Sequence, residues 1–321
     1  MKKILVTGAA GFIGSHLTEA LVEHGHQVKA FVRYNSAQSI GWLAHLPMTV
    51  AKHFEIRFGD IRDFDSVRQA MTDCDTVFHL AALIDVPYSY LNPKSYLETN
   101  VLGTYNVLQA ARETGVAKVI QLSSSEVYGT AQFIPIHEKH PLNAQSPYAA
   151  SKIGADQLAL SFYRSFNLPV AIARPFNTYG PRQSVRAIIP SIITQIASGV
   201  DSIKVGNLHT IRDFNYVADT VSGLIAIAES SQTVGDVFNI GSGFDISIAD
   251  LLDTITDLMQ TNVKIVHELS RIRPEKSEVQ ELLANNMKIK QFTAWQPQYQ
   301  GLDGLLQGLE KTIAWFTECQ T

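Results

Sequence analysis

The loop Gly8-Ala9-Ala10-Gly11-Phe12-Ile13-Gly14 constrains the fold more than any other part of the chain. It follows Lys3–Thr7, which reads as a short buried strand rather than the start of a signal peptide, because the apolar run ends at once in a glycine turn. It opens Phe12–His24, where Ile13, Leu17, Ala20 and Leu21 recur at helical spacing and Gly25 is the stop. Glycines so spaced between a strand and a helix allow a tight turn, close approach of backbone to a pyrophosphate, and close helix–strand packing. The helix N-terminus then faces the anion. A simple glycine-rich loop is the alternative, and its place at the head of a strand–helix run argues against it.

Short apolar runs and helical stretches alternate beyond the loop. Strands are expected at Val28–Val32, Phe54–Phe58, Thr76–Ala81, Lys118–Ser123 and Val170–Ala173. Helices are expected at Asp65–Thr72, Ser95–Thr114 and Pro147–Phe166. This alternation predicts an α/β fold with a Rossmann-type, doubly wound parallel sheet. After Arg174 the rhythm changes, punctuated by Pro175, Gly180, Pro181 and Pro190. Ile188–Ser198 and Asp219–Glu229 read as helices, Arg212–Val217 as a strand, and Val237–Ile240 as a return to the sheet. Ser247 with Asp250 suits a capping box for helix Ile248–Met259. A strand Val263–His267 and a helix Leu302–Thr317 complete the pattern. The division expected is a dinucleotide-binding domain of residues 1–174 plus about 213–241, and a smaller lobe of about 175–212 plus 242–321.

Composition excludes several classes. The 321 residues are 45% hydrophobic and 17% charged, with a net charge of −4, which leaves no basic footprint for nucleic acid. No apolar run is long enough to span a membrane. Cys74 and Cys319, far apart in sequence, read as reduced thiols of a cytoplasmic protein. No Cys/His cluster has metal-ligand spacing.

Tyr148 and Lys152 stand four residues apart, on one face of the helix Pro147–Phe166. A phenol titrates near pH 10, so a tyrosine base needs a neighbouring cation and the positive ring of a nicotinamide to lower it. Ser123-Ser124-Ser125-Glu126 ends an apolar run and offers a hydroxyl and a carboxylate. Spacing leaves open which serine points into the site, since Ser124 lies opposite Ser123 and Ser125 if the strand continues. A simple alcohol dehydrogenase does not need Glu126. Its presence suggests redox chemistry coupled to a carbon–hydrogen ionisation, the alternative being a turn cap or surface ion pair.

The dinucleotide site is expected to use Gly8, Gly11, Phe12, Ile13 and Gly14. The second strand ends in Phe31-Val32-Arg33, with no carboxylate for a ribose 2′-hydroxyl, and Arg33 can pair with a 2′-phosphate. This favours NADP, with NAD still open. Asp60 and Ile61, after the third strand, are placed at the adenine edge, a turn-forming Asp being the alternative.

The ordered set Thr7-Gly8-x-x-Gly11-x-x-Gly14, His79-Leu80-Ala81-Ala82, Tyr148-x-x-x-Lys152 and Arg174-Pro175-Phe176-Asn177 resembles an extended short-chain dehydrogenase/reductase over essentially the whole chain. The resemblance implies a Rossmann domain, a small nucleotide-sugar domain and a homodimer built on a four-helix bundle. It also adds Leu80, Ala81 and Ala82 to the cofactor site. Ser95–Thr114 has an apolar face through Val101, Tyr105 and Leu108 that is either core or half of such an interface. Within the family the chain is similar to sugar-nucleotide 4,6-dehydratases, above all the legionaminic-acid-pathway type acting on NDP-N-acetylglucosamine. The segments behind this are Tyr34-Asn35-Ser36, Gly41-Trp42-Leu43, Pro87-Tyr88-Ser89-Tyr90, Ser125-Glu126-Val127-Tyr128-Gly129-Thr130-Ala131 and Asn143-Ala144-Gln145-Ser146-Pro147-Tyr148.

The glucose-type dehydratases of this family carry Thr-Asp-Glu before Val-Tyr-Gly, whereas this chain has Ser124-Ser125-Glu126. Ser125 cannot replace an Asp as the acid that helps water leave. Either Glu126 acts twice or another group protonates the hydroxyl. The same Ser-Glu pair resembles uronic acid decarboxylases, which are the rival reading, followed by 4-epimerases and a non-catalytic cofactor-binding regulator. The roles implied are Tyr148 as base, Lys152 as its partner, Ser124 as orienting hydroxyl, Ser125 beside it, and Glu126 as the C5 base. Asn177 is expected on the sugar diphosphate, and Tyr88 and Tyr90 are pocket candidates, with buried aromatics as the alternative. Arg182 shares with Asn177 a loop after a strand, where substrate contacts concentrate, and Arg186, Arg212 and Arg273 are candidate phosphate clamps, Arg212 foremost, a surface salt bridge being the alternative for each. His79 reads as a packed structural histidine.

Overall fold

The computed structural model describes residues 1–268 and 272–318; Cys319 lies outside them. The strands are β1 (Lys3–Thr7), β2 (Gln27–Arg33), β3 (Phe54–Gly59), β4 (Thr76–His79), β5 (Lys118–Leu122), β6 (Val170–Pro175), β7 (Asn177–Tyr179), β8 (Ser202–Val205), β9 (Ile211–Tyr216), β10 (Val237–Ile240), β11 (Asp245–Ser247), β12 (Lys264–His267) and β13 (Glu281–Leu282). Seven of them form one parallel sheet in the order β10-β6-β5-β4-β1-β2-β3. The doubly wound sheet expected from the sequence is therefore present. Its order reverses between β1 and β4, and the crevice at the carboxyl ends of those strands is where such sheets bind ligands.

Alternation along β1 explains the two layers. Ile4 and Val6 join one core with Leu17, Leu21, Leu224 and Ile240. Leu5 joins the opposite core with Val77, Val107, Leu108 and Ala159. Central strands β4, β5 and β6 are buried throughout, as strands covered by helices on both faces must be.

The second sheet joins β11, β9 and β13, with β7 also on β9, and β12 pairs β8. β9 thus lies outside the large sheet, although the sequence division counted residues from 213 onward with it. β10 does return to the large sheet. Asp213 of β9 is fully buried and accepts hydrogen bonds from Ser242 N (2.9 Å), Ser242 Oγ (2.7 Å), Gly243 N (3.0 Å) and Ala284 N (3.1 Å). Each such donor costs about 1–3 kcal/mol if left without an acceptor, so this carboxylate pins the second sheet to the chain leaving β10.

The helix expected at Ser95–Thr114 is instead Pro93–Tyr96, a π turn Leu97–Leu102 and Gly103–Thr114. The wider turn carries Asn100 into the interior. Its Oδ1 accepts from Leu83 N (2.8 Å), and its Nδ2 donates to Leu83 O (2.9 Å) and Ser151 Oγ (2.9 Å). π turns of this kind gather at functional sites. Along the same stretch Leu108 is core, whereas Leu97, Leu102 and Tyr105 are exposed, as is Phe166 at the end of the helix Pro147–Phe166. The Ser247–Asp250 cap forms: Ser247 Oγ accepts from Asp250 N (3.0 Å) and donates to Asp250 Oδ2 (2.6 Å). Among the described residues no helix is long and apolar enough to cross a membrane.

Candidate active site

The glycine loop forms a cradle that side chains would fill. Gly8 has φ +72°, and a Cβ there would lie 2.8 Å from Ala81 N. A Cβ on Gly14 would lie 2.1 Å from Gly8 O. Glycine is therefore required at both positions, and the backbone between them is open to a diphosphate at the N-terminus of helix Phe12–Glu23. A cleft of about 650 Å³ runs from this loop. All eleven expected cofactor contacts before Tyr148 line it: Gly8, Gly11, Phe12, Ile13, Gly14, Arg33, Asp60, Ile61, Leu80, Ala81 and Ala82. A dinucleotide fits these residues. Arg33 has no ion-pair partner among the described residues, whereas Asp60 is taken by Arg62 at 2.6 Å. The hydrogen bonds from Arg62 hold the Asp60 carboxyl below the usual range.

β5 delivers the serines. Ser123 donates to Asp156 Oδ2 (2.8 Å), two turns along the helix from Tyr148. Ser124 faces the Tyr148 phenol and accepts from Glu126 N at 3.2 Å, capping the turn Ser125–Tyr128. The choice among three serines is thereby made, and Ser125 is simply buried. Tyr148 is the second residue of a helix capped by Ser146, whose Oγ accepts from Ala149 N (3.1 Å). Its ring meets Tyr96 edge-on at 6.3 Å. Burial pushes the phenol well above its ordinary value, Ser124 draws it down, and Glu126, Tyr96 and Asp156 add to the rise. Burial thus outweighs the lowering expected from a neighbouring lysine.

Lys152 donates from Nζ to Leu122 O (2.5 Å). Burial lowers it to about 8, against the pull of Asp156. Glu126 is nearly enclosed, with Arg273 Nη1 3.4 Å from its Oε1. His79 is locked between Thr7 Oγ1 (2.8 Å) and Thr104 Oγ1 (3.1 Å), and burial lowers it to about 3, so it is neutral and structural as expected.

The other arginines divide differently from expectation. Arg212 spends Nη1 on Ile211 O (2.9 Å) and Gln280 O (3.2 Å) and Nη2 on Val279 O (2.6 Å), with Glu278 at 3.6 Å. The foremost expected clamp is thus a strut between β9 and the chain before β13, because buried carbonyls have claimed its fork. Arg182 Nη2 pairs with Glu19 (2.7 Å) of the helix that follows the glycine loop, while its Nε and Nη1 are buried without a partner among the described residues. Arg186 reaches Asp85 (3.0 Å). Among the described residues, Arg273 is the one of these arginines in an ion pair with the expected catalytic set, and the Glu126 charge also acts on Arg212. Asn177 Oδ1 is buried without a protein partner. Tyr88 lines the cleft, and Tyr90 bridges to Ser277 Oγ (2.6 Å).

The sequence reading missed Asn100 and the buried group Asp156, Arg174 and Tyr128. Asp156 Oδ2 accepts from Arg174 Nε (3.1 Å) and Nη2 (2.9 Å), and Arg174 Nη1 donates to Tyr128 OH (3.0 Å). The available signal was Asp156 continuing the Tyr148–Lys152 stripe at the same four-residue step.

A phenol–hydroxyl–ammonium set at the mouth of a dinucleotide cradle is suited to oxidising an alcohol, and a carboxylate beside it to a second proton transfer. The family model for GDP-mannose 4,6 dehydratase matches residues 5–307. The chain belongs to this family. Its relatives have diverse reactions. A dTDP-glucose 4,6-dehydratase of Streptomyces griseus is 33% identical, covering 98% of this chain and 93% of the relative. A UDP-N-acetyl-alpha-D-glucosaminuronate decarboxylase of Bacillus cytotoxicus is also 33% identical, covering 99% of each. Among solved structures, the UDP-N-acetylglucosamine 4-epimerase of Methanobrevibacter ruminantium M1 superposes with a TM-score of 0.88 at 30% identity, over 100% of this chain and 99% of that one. The dTDP-glucose 4,6-dehydratase DesIV of Streptomyces venezuelae, with NAD bound, gives 0.84 at 28% identity over 98% and 97%. The family thus spans dehydratases, decarboxylases and epimerases of nucleotide sugars on an extended short-chain dehydrogenase/reductase fold, and solved members bind NAD.

Proposed function

We propose that the chain removes water from an NDP-N-acetylhexosamine, NDP-N-acetylglucosamine above all, to give the 4-keto-6-deoxy sugar. The observation that carries this is Glu126, held beside the Ser124–Tyr148 pair and facing Arg273. Similarity to the legionaminic-acid-pathway dehydratases supports the N-acetylated substrate. A bound nicotinamide dinucleotide supplies the hydride acceptor for C4 and the donor for C6, and its charged ring lowers Tyr148.

The chain's own residues do the rest. Ser124 orients the 4-oxygen, and Tyr148 takes its proton. The resulting ketone acidifies C5, whose proton Glu126 removes. The C6 hydroxyl leaves as water, for which Glu126 is the nearest acid on this reading, since Ser125 is none. C5 is then reprotonated. Run in deuterated water, the reaction is expected to place one deuterium on C5 in a product lighter by one water. A product with hydrogen retained at C5 contradicts the scheme.

On this reading the large-sheet half holds the dinucleotide and the second sheet the sugar nucleotide. The exposed Leu97, Leu102, Tyr105 and Phe166 support a homodimer across those helices, in the cytoplasm. Arg33, which forms no ion pair among the described residues, supports NADP. Arg33→Ala is then expected to weaken NADP by about tenfold and leave NAD unchanged in a fluorescence titration, and equal losses would contradict the preference. The second reading, decarboxylation of a UDP-uronate, is favoured by the Arg273 guanidinium beside Glu126, where a C6 carboxylate could be held.

A further inference from the structure

We propose that Asp156 is a positioning residue for the Tyr148–Lys152 pair, a fixed buried anion that keeps the ammonium charged and aimed. The inference rests on the reading of that pair as the proton-handling machinery. Tyr148, Lys152 and Asp156 follow one another at four-residue steps on the helix Pro147–Phe166. Asp156 is completely buried. Three hydrogen bonds, from Ser123 and Arg174, land on Oδ2 alone and lock the carboxylate. Its Oδ1 has no hydrogen-bond partner among the described residues.

An unpartnered carboxylate oxygen in the interior is costly and calls for a cation or a bridging water. Lys152 stands one turn away. Its ammonium has three donors, and Leu122 O takes one. The anchors also share a segment: Leu122 holds Lys152 and Ser123 holds Asp156, while Ser124 faces Tyr148. The end of β5 and the helix are thus pinned by hydrogen bonds at two successive residues.

The charged and titratable surroundings are few. Lys152 faces Asp156 from its own helix and neutral His79 from β4, while β5 offers it a carbonyl. Asp156 faces Arg174 from β6, Ser123 from β5 and Tyr128 from the turn Ser125–Tyr128. Tyr148 faces Glu126, Tyr96 and Asp156. The anion at Asp156 raises both Lys152 and Tyr148. Activity rises as Tyr148 loses its proton and falls as Lys152 loses its own, so removing the anion moves both limbs the same way.

Asp156→Asn is therefore expected to shift the whole pH profile of kcat/KM to lower pH, by about one unit, and Asp156→Glu to restore it. Should the unpaired guanidinium prevent folding, D156N/R174Q removes both buried charges together and is expected to shift the profile in the same direction. A profile that coincides with that of the parent chain, whatever the loss in kcat, overturns the proposal. A heteronuclear NMR titration of the Lys152 ε-methylene needs no substrate. It is expected to move to lower pH in the same variants, and an unmoved titration also overturns the proposal. If the parent chain dehydrates no nucleotide sugar, the function proposed above fails while this titration still decides the role of Asp156.

Discussion

Glu126→Gln is expected to stall the reaction after its first half. Turnover to the 4-keto-6-deoxy sugar falls by about 10³-fold, the usual loss for a removed general base. Oxidation at C4 continues, because Ser124, Tyr148 and Lys152 are untouched. Reduced cofactor therefore accumulates to about one equivalent per site, visible as nicotinamide absorbance in a stopped-flow mixing experiment. The substitution keeps the shape of the side chain and frees Arg273, which is itself partly exposed, so the fold is retained. Loss of dehydration without a reduced-cofactor signal would remove Glu126 from the C5 step. Unchanged turnover would return it to the role of a turn residue paired with Arg273.

Tyr148→Phe is expected to fail earlier. The ring stays packed against Tyr96, and only the hydroxyl that faces Ser124 is lost. The 4-hydroxyl then has no base, and kcat falls by about 10²–10⁴-fold with no accumulation of reduced cofactor. Single-turnover absorbance separates the two variants: a signal in Glu126→Gln and none in Tyr148→Phe. A reduced-cofactor signal in Tyr148→Phe would mean that another group takes the C4 proton.

What was legible in the sequence was what local pattern dictates. Lys3–Thr7, the glycine loop and Val237–Ile240 carry their roles in a few consecutive residues: the two strands lie in the large sheet, and the loop joins the first of them to its helix. The Tyr148–Lys152 face needed only helical periodicity. Long-range partners were not legible. Three adjacent serines look alike until β5 aims Ser123 at Asp156 and Ser124 at Tyr148. Arg212 has the residue type of a phosphate clamp, but its partners are carbonyls some 70 positions on, which no spacing announces. The helix containing Asn100 reads as regular because the π turn that breaks it is stabilised by Leu83 and Ser151, from other segments. β9 likewise has the composition of any buried strand, and its place outside the large sheet is set by pairing with β7, β11 and β13.

The central claim is that Glu126 turns an alcohol-oxidising site into a dehydrating one. Proton NMR of the protein with UDP-N-acetylglucosamine, and in a parallel tube with GDP-N-acetylglucosamine, tests it most directly. The account predicts a new C6 methyl doublet with loss of the C4 proton in one of the tubes, which also names the nucleotide. No methyl signal in either tube, with carbon dioxide released from a UDP-uronate instead, would contradict it.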